Sequence, residues 1–138
     1  MYVDEHLQVS DAQSLTVTAL STSSVDLGST TPDIGAGKQL YAIVTIDTSM
    51  ATADAAKTLT IAVVTDSTAD LATSAITILQ TAAHLGSVIT AGRAPIVIPI
   101  PMGIDDRYIG LYYTLSATCT AFTVSAMFGF EYQSNLTG

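Results

Sequence analysis

Hydrophobic and polar residues alternate with a period of two along most of the chain. In segment 40–48 (LYAIVTIDT), Leu40, Ala42, Val44 and Ile46 share one parity, and a mixed set of residues shares the other. Alternation that is rich in threonine and β-branched residues is typical of strands with one buried face. The same pattern predicts further core residues in five other segments: Leu15, Val17, Ala19, Leu59, Ile61, Val63, Ile96, Ile98, Ile100, Ile109, Leu111, Tyr113, Leu115, Phe122, Val124, Ala126, Phe128 and Phe130.

Segment 95–101 (PIVIPIP) is predicted to form an edge strand. Its isoleucines share one parity, while Pro95, Pro99 and Pro101 lie on the other. Because proline has no N–H to donate to a neighbouring strand, this segment is expected to lie at the edge of a sheet or to leave the sheet early.

Segment 70–86 fits two kinds of structure. Leu71, Ala75 and Ile78 have helical spacing, with Asp70 as a possible N-cap and Gly86 as a stop. The centre of the segment, AITILQT, also alternates as a strand does, and the neighbouring segments are strands. We favour a short strand and keep the helix as the alternative.

The whole pattern predicts an all-β protein, an antiparallel β-sandwich of the jelly-roll type with about eight strands. Turn-rich segments separate the predicted strands, and no helical crossover connects them. The length of 138 residues suits one domain. We assign residues 1–13 to an N-terminal arm and residues 14–138 to a single jelly-roll domain.

Composition changes this picture mainly at the surface. Hydrophobic residues make up 49% of the chain, enough to fill a core without disulfides or a structural metal. Charged residues are only 12%, whereas serine and threonine number 34, 13 of the first and 21 of the second. The polar surface is therefore expected to consist largely of hydroxyl groups.

The charge balance and the apolar runs exclude several partners. A net charge of −8 excludes a nucleic-acid binder that works by neutralising phosphates. The longest apolar stretch, 94–104, is interrupted by three prolines and is too short to cross a bilayer, and the first residues lack the basic start of a signal peptide. We therefore expect the chain to stay in the compartment where it is made, with no nucleic-acid and no membrane partner.

Motifs for catalysis are weak. Segment 35–38 (GAGK) lacks the first glycine and the final hydroxyl residue of a phosphate-binding loop. His6 and His84 form no metal-ligand spacing, Cys119 has no neighbouring base or cation, and no G-x-S-x-G motif is present. The acids of segment 66–70 (DSTAD) and of 105–106 lack the ligand alternation of calcium loops, so we expect them in solvated loops. We predict a chain that is not an enzyme and has no cofactor and no metal site.

The faces turned away from the predicted core carry apolar and aromatic residues, which favour contact with a partner or with a second copy. Tyrosine is common at protein interfaces because its ring supplies area and its hydroxyl tolerates water. The N-terminal arm adds apolar residues, and two alternatives stay open for it: a loose tail, as is usual for termini, or a segment that gains order on a partner. The candidate contact residues are Tyr2, Val3, Leu7, Val9, Tyr41, Ile43, Tyr108 and Tyr112.

Six segments, taken in order, resemble the jelly-roll cement or decoration proteins of tailed bacteriophages, of the Bordetella-phage type. They are MYVDEHLQVSDAQ (1–13), VDLG (25–28), DIGAG (33–37), LYAIVTIDT (40–48), PIPMGIDDRYIGLYYTLSAT (99–118) and FTVSAMFG (122–129). The resemblance implies a non-enzymatic virion protein, made in the host cytoplasm, that binds the outer capsid surface and ties major capsid protein subunits together. It also implies self-association, with dimers favoured and trimers as the alternative.

Two other functions remain open at this point. The first is a carbohydrate- or receptor-binding jelly-roll module of a phage tail, which requires exposed aromatic rings and acids that converge at a loop end. The chain has no tryptophan, the usual platform for sugars. The second is a small β-sandwich hydrolase that uses His6 or His84.

Overall fold

A computed structural model describes residues 7–27, 40–72, 75–101 and 106–129, and ten strands account for more than half of these residues. Two short 3-10 turns, Thr52–Asp54 and Gly86–Val88, join strands at one end. None of the helical turns in these ranges is long and apolar enough to cross a membrane. The strands are β1 (Gln8–Leu15), β2 (Ala19–Leu20), β3 (Val25–Asp26), β4 (Leu40–Thr48), β5 (Thr58–Asp66), β6 (Ile76–Gln80), β7 (His84–Leu85), β8 (Ile96–Ile100), β9 (Tyr108–Leu115) and β10 (Phe122–Gly129).

The strands form two antiparallel sheets with jelly-roll connectivity. The first sheet has the order β1-β10-β4-β8, and the second has the order β2-β9-β5-β6, with β3 beside β9 and β7 beside β5. Strands from the first half of the chain thus pair with strands from the second half in reverse order: β1 with β10, β2 with β9, β4 with β8 and β5 with β6. A long hairpin rolled into two sheets has this arrangement. The predicted all-β antiparallel sandwich is confirmed.

The core lies between the two sheets and follows the predicted parity. Leu59, Ile61 and Val63 of β5 belong to one continuous cluster of buried side chains. The same cluster contains Leu40 and the alternate residues of β4 in the other sheet. Apart from Val17, Ala19 and Phe130, every predicted core residue belongs to this cluster; Ala19 packs against it half-buried, and Phe130 lies outside the described residues. Burial of this apolar area is the main stabilising contribution to the fold.

Val17 is the exception, because the chain changes sheets there. Strand β1 ends at Leu15 in the first sheet, and β2 begins at Ala19 in the second. Residues 16–18 form the corner, which leaves the Val17 side chain 52% exposed. A strict alternation extrapolated through a corner assigns its middle residue to the wrong face.

Two predictions about individual segments are confirmed. Strand β8 lies at the end of the first sheet, where Pro99 needs no N–H for a second neighbour. In segment 70–86, residues Ile76–Gln80 form strand β6, antiparallel to β5, so the strand interpretation was the correct one.

Part of the predicted N-terminal arm belongs to the sandwich instead. Residues Gln8–Leu15 form β1, which pairs with β10 through an irregular register at which Ala12 adopts a left-handed conformation, φ +47°. Val9 is buried in the core, and the Ser10 hydroxyl lies 2.9 Å from the buried Tyr113 hydroxyl of the opposite sheet. Strand pairing and core burial fix these residues, so an arm boundary at residue 13 does not coincide with the first strand.

Candidate interaction surface

The second sheet carries an apolar depression on the face that points away from the core. We call it the outer trough. Its volume is 200 Å³. Its floor includes the buried Val64 side chain, which forms a smaller cluster with Ala62 and Leu71, separate from the main core. The residues that line the outer trough are Leu20, Val64, Leu71, Ala75, Thr77 and Tyr112.

Strand register brings the lining residues together from four strands. Leu20 of β2 lies opposite Tyr112 of β9, and Val64 of β5 lies opposite Thr77 of β6. Residues that lie directly opposite each other on paired strands point to the same face of the sheet, so these side chains form two adjacent rows across the sheet. The trough therefore crosses the sheet from one edge strand to the other.

The loop after β5 supplies one wall of the outer trough. Leu71 lies in this loop with φ +55°, a conformation that costs a non-glycine residue roughly 1–2 kcal/mol. Side-chain contacts hold the loop in place: Asp66 accepts the N–H of Thr68, and Asp70 accepts the N–H of Ala72. Burial of the Leu71 side chain offsets the backbone strain, since Leu71 is only 4% exposed.

Gly110 makes room for that wall. A Cβ at this position of β9 would overlap the Leu71 Cδ1 atom and would lie 3.1 Å from the Ser21 hydroxyl. Gly110 is opposite Val64 in the sheet, so the missing side chain lets Leu71 reach the floor of the trough. Glycine is needed here for close approach, and its backbone conformation is an ordinary strand.

Acidic residues predominate beside the trough. Arg107 forms a two-pronged pair with Asp26, with distances of 2.8 Å and 2.9 Å, and its guanidinium lies 5.3 Å from the centre of the Tyr108 ring. Asp66 ends β5 two residues after Val64, and Asp70 is the exposed neighbour of Leu71. Asp106, which accepts a hydrogen bond from Thr65, lies at the same end, so four carboxyl groups accompany one guanidinium among the described residues there.

The structure distributes the predicted contact residues between surface and interior. Tyr112 is 36% exposed and lines the trough, whereas Tyr108 is half-buried against the trough floor and Tyr41 is half-buried on the first sheet. Leu7 packs half-buried against the main core, whereas Val9 lies within it and is not available to a partner. Tyr2 and Val3 lie outside the described residues.

Ile43 is also buried, although its parity points away from the core. It lies on the central strand β4, directly between Met127 of β10 and Val97 of β8, and is only 1% exposed. Flanking apolar side chains on both sides remove it from solvent. Parity identifies the face on which a side chain lies, and burial depends on what covers that face.

Cys119 and His84, which the sequence analysis considered as candidate catalytic or metal-binding residues, are both at least half-buried. Cys119 is a buried free thiol whose pKa is raised by burial, then by the nearby Asp54 carboxylate, as expected for a packed thiol. His84 is half-buried in β7, and its Nε2 atom is buried with no hydrogen-bond partner among the described residues. Burial, followed by the charge of Arg93, lowers the pKa of His84.

Asp54 was missed by sequence reasoning. It lies in a segment rich in turn residues, yet it is 3% exposed, with Lys57 Nζ at 2.6 Å from Oδ1 and the N–H of Thr120 donating to Oδ2 at 2.8 Å. The Lys57 ammonium also donates to the carbonyl of Thr118, so the pair ties two loops together. The hydrogen bond from Lys57 is the main cause that lowers the pKa of Asp54. The i, i+3 spacing of Asp54 and Lys57 was the available signal.

The acids expected in solvated loops include one that is fully buried. Asp66 has no exposed surface, because it closes the turn after β5 through the N–H of Thr68, while Asp70 is exposed as expected. Asp106 accepts a hydrogen bond from Thr65, and Asp105 lies outside the described residues. Within the described ranges, no group of three metal-ligating side chains converges.

An antiparallel jelly roll with an apolar depression on an outer sheet face belongs to a class of β-sandwich that includes capsid and lectin domains. A family model gives the assignment within that class. The model named Bbp16 matches residues 9–128, so the chain belongs to the Bbp16 family, which takes its name from a Bordetella phage protein. No curated protein matches the chain.

Proposed function

We propose that this chain is a capsid cement, or decoration, protein that binds the outer surface of a phage head and stabilises the lattice of the major capsid protein. The observation that carries the proposal is the outer trough, an apolar depression on a sheet face that the core does not use. Membership of a phage protein family and the jelly-roll topology support the same role. The proposal is for a binding protein without enzymatic activity.

The surface chemistry suits a protein that works outside a DNA-filled shell. A net charge of −8 opposes contact with the packaged DNA. Copies that associate with each other bind a symmetric shell through several contacts at once, and this avidity raises their overall affinity. A weak contact at a small depression on each copy is therefore sufficient for attachment. Self-association as a dimer, with a trimer as the alternative, is part of the proposal; Tyr41 remains a candidate contact residue for it, and Tyr112 remains a candidate contact residue for the capsid.

A carbohydrate- or receptor-binding module of a phage tail is the second candidate. Sugar sites combine aromatic platforms with polar groups that bond to hydroxyls. The described residues that line the outer trough include one aromatic ring, Tyr112, and no carboxyl group. The lining therefore favours an apolar side chain over a sugar, and a glycan array is the direct comparison.

The test mixes the purified chain with phage heads assembled without it and separates bound from free chain by sedimentation. The expected result is saturable co-sedimentation in a fixed ratio to the major capsid protein, together with heads that release their DNA at a higher temperature. Heads that sediment without the chain, at a concentration well above that of their surface sites, would contradict the proposal.

A further inference from the structure

The geometry of the outer trough points to its occupant. We infer that the trough receives one protruding apolar side chain of the capsid shell protein, from a segment that carries lysine or arginine beside that side chain. This inference rests on the proposed decoration function. It adds the docking face, the residues that form it and the chemistry of the partner segment.

The size of the trough favours a single side chain. Its volume of 200 Å³ is below the roughly 300–1,000 Å³ of sites that enclose small-molecule ligands. Four of its six lining residues, Leu20, Val64, Leu71 and Ala75, have aliphatic side chains, which offer no donor or acceptor to a polar ligand. A buried apolar anchor inserted into such a depression is the usual centre of a protein interface.

The trough wall is built before any partner arrives. Leu71 keeps its left-handed conformation because a set of hydrogen bonds holds the loop. Among them are Thr68 N–H to Asp66, Ala72 N–H and the Thr68 hydroxyl to Asp70, Leu71 N–H to the carbonyl of Thr68, and the Ser24 hydroxyl to the carbonyl of Ala69. A prepared depression loses little side-chain freedom on binding, which favours affinity. Strain of this kind is retained at sites where the surrounding structure requires it.

The charges beside the trough select a basic segment. Asp26, Asp66, Asp70 and Asp106 lie at the end of the sheet that borders the trough; Asp26 engages Arg107, and Asp66 is buried. An exposed carboxylate such as Asp70 attracts a cationic partner and repels an acidic one. A second copy of this chain would bring the same carboxyl groups and a net charge of −8 to the same face, so like charges disfavour self-association through the trough.

Three variants test the contribution of each feature to head binding. Tyr112→Ala removes the exposed ring and is expected to weaken binding about tenfold or more, as for a central interface residue. Asp70→Asn keeps the oxygen that accepts the N–H of Ala72 and removes only the charge; it is expected to weaken binding about two- to fivefold and to reduce its dependence on salt. Thr114→Ala is the matched control, because Thr114 is exposed two residues further along β9 and does not line the trough.

Photo-crosslinking identifies the occupant. p-Benzoylphenylalanine replaces Tyr112 in one sample and Thr114 in another, both are bound to heads assembled without the chain, and the crosslinked peptides are identified by mass spectrometry. The expected result is capture at position 112 of one shell-protein segment in which an apolar residue has lysine or arginine within a few positions. Position 114 is expected to capture far less of it.

The other outcomes overturn the inference in distinguishable ways. Capture of this chain itself at position 112 would make the trough a self-association face, and capture of an acidic shell segment would contradict the charge argument. If the Tyr112→Ala variant binds heads with the same affinity as the wild-type chain, the trough is rejected as the docking face and the decoration function is left in place. Failure of the wild-type chain to bind heads would reject the proposed function itself.

Discussion

The Leu71 side chain occupies the space in which a Cβ of residue 110 would lie. Leu71 approaches β9 from the loop after β5, and its Cδ1 atom lies over Gly110 with the Ser21 hydroxyl beside it. The pair connects a glycine in the middle of a strand with a strained leucine 39 positions earlier in the chain. Together they determine the depth of the outer trough.

Gly110→Ala is expected to displace Leu71 and to lower the free energy of unfolding by about 1 kcal/mol, because the terminal methyl group of a leucine can move away from the new side chain. Urea unfolding measures the change. In a Leu71→Ala background the same substitution is expected to cost less, since the overlap is gone. Equal costs in both backgrounds would contradict the contact.

Gly86→Ala is the comparison variant for that experiment. A Cβ at residue 86 would overlap the backbone carbonyl oxygen of Asp54 and would lie 2.7 Å from the Met50 sulfur. Backbone cannot move aside as a methyl group does, so this variant is expected to be the more destabilising of the two, by about 3 kcal/mol.

Neighbouring residues of β9 are expected to respond in opposite ways to truncation, because they lie on opposite faces. Leu111→Ala creates a cavity in the main core and is expected to cost about 2–5 kcal/mol. Tyr112→Ala changes an exposed position and is expected to cost about 1 kcal/mol or less. Thermal unfolding of both variants checks the parity, and a larger loss for Tyr112→Ala would reverse the assignment of faces.

The sequence predicted the core of the sandwich more successfully than its surface. A period of two identifies which residues share a face, and for strands β4, β5, β9 and β10 one of those faces lies in the core. Whether the other face meets solvent depends on residues distant along the chain. Ile43 is covered and Val64 lies beneath Leu71, while Asp66 is buried by its own turn, and none of these is encoded in the local alternation.

The candidate site was predicted in part for the same reason. Tyr112 was identified from its parity and residue type, and it lines the trough. Leu71 was considered only as a helix or strand residue, because a left-handed leucine that folds back onto a sheet leaves no pattern in the sequence. Val9 was assigned to an arm because the irregular pairing of β1 breaks its alternation.

The Asp54–Lys57 pair is expected to stabilise the fold in a pH-dependent way. The hydrogen bond from Lys57, followed by that from Thr120, lowers the pKa of Asp54 below its ordinary value of 3.8. The folded chain then binds this proton less readily than the unfolded chain, so the contribution is present above pH 3.8 and is lost as the pH falls through the lowered pKa.

Asp54→Asn is expected to reduce stability at pH 7 and to flatten the loss of stability below pH 3.8. Urea unfolding at a series of pH values measures both effects. Asp11→Asn, at an exposed carboxylate on β1, serves as the control. An acid limb that is unchanged in Asp54→Asn would show that other carboxyl groups cause the loss.

His84 is expected to destabilise the fold in mildly acidic solution. Its pKa is lowered from 6.5 by burial and by Arg93, so the unfolded chain takes up this proton first as the pH falls below 6.5. Stability therefore decreases from pH 6.5 down to the lowered pKa and then levels off. His84→Leu removes the buried Nε2 atom, which has no hydrogen-bond partner in the described part of the chain, and is expected to abolish this decrease. Thermal unfolding of the wild-type chain and of His84→Leu, above and below pH 6.5, measures this decrease; both proteins retain His6. A decrease that persists in His84→Leu would assign it to another group.

The most direct test of the decoration function is a cryo-EM reconstruction of phage heads that were assembled without this chain and then incubated with it. A decoration protein is expected to give ordered jelly-roll density at symmetry-related positions on the outside of the shell, with the sheet face that carries Tyr112 and Leu71 against the major capsid protein. Bare heads in the presence of excess folded chain would contradict it.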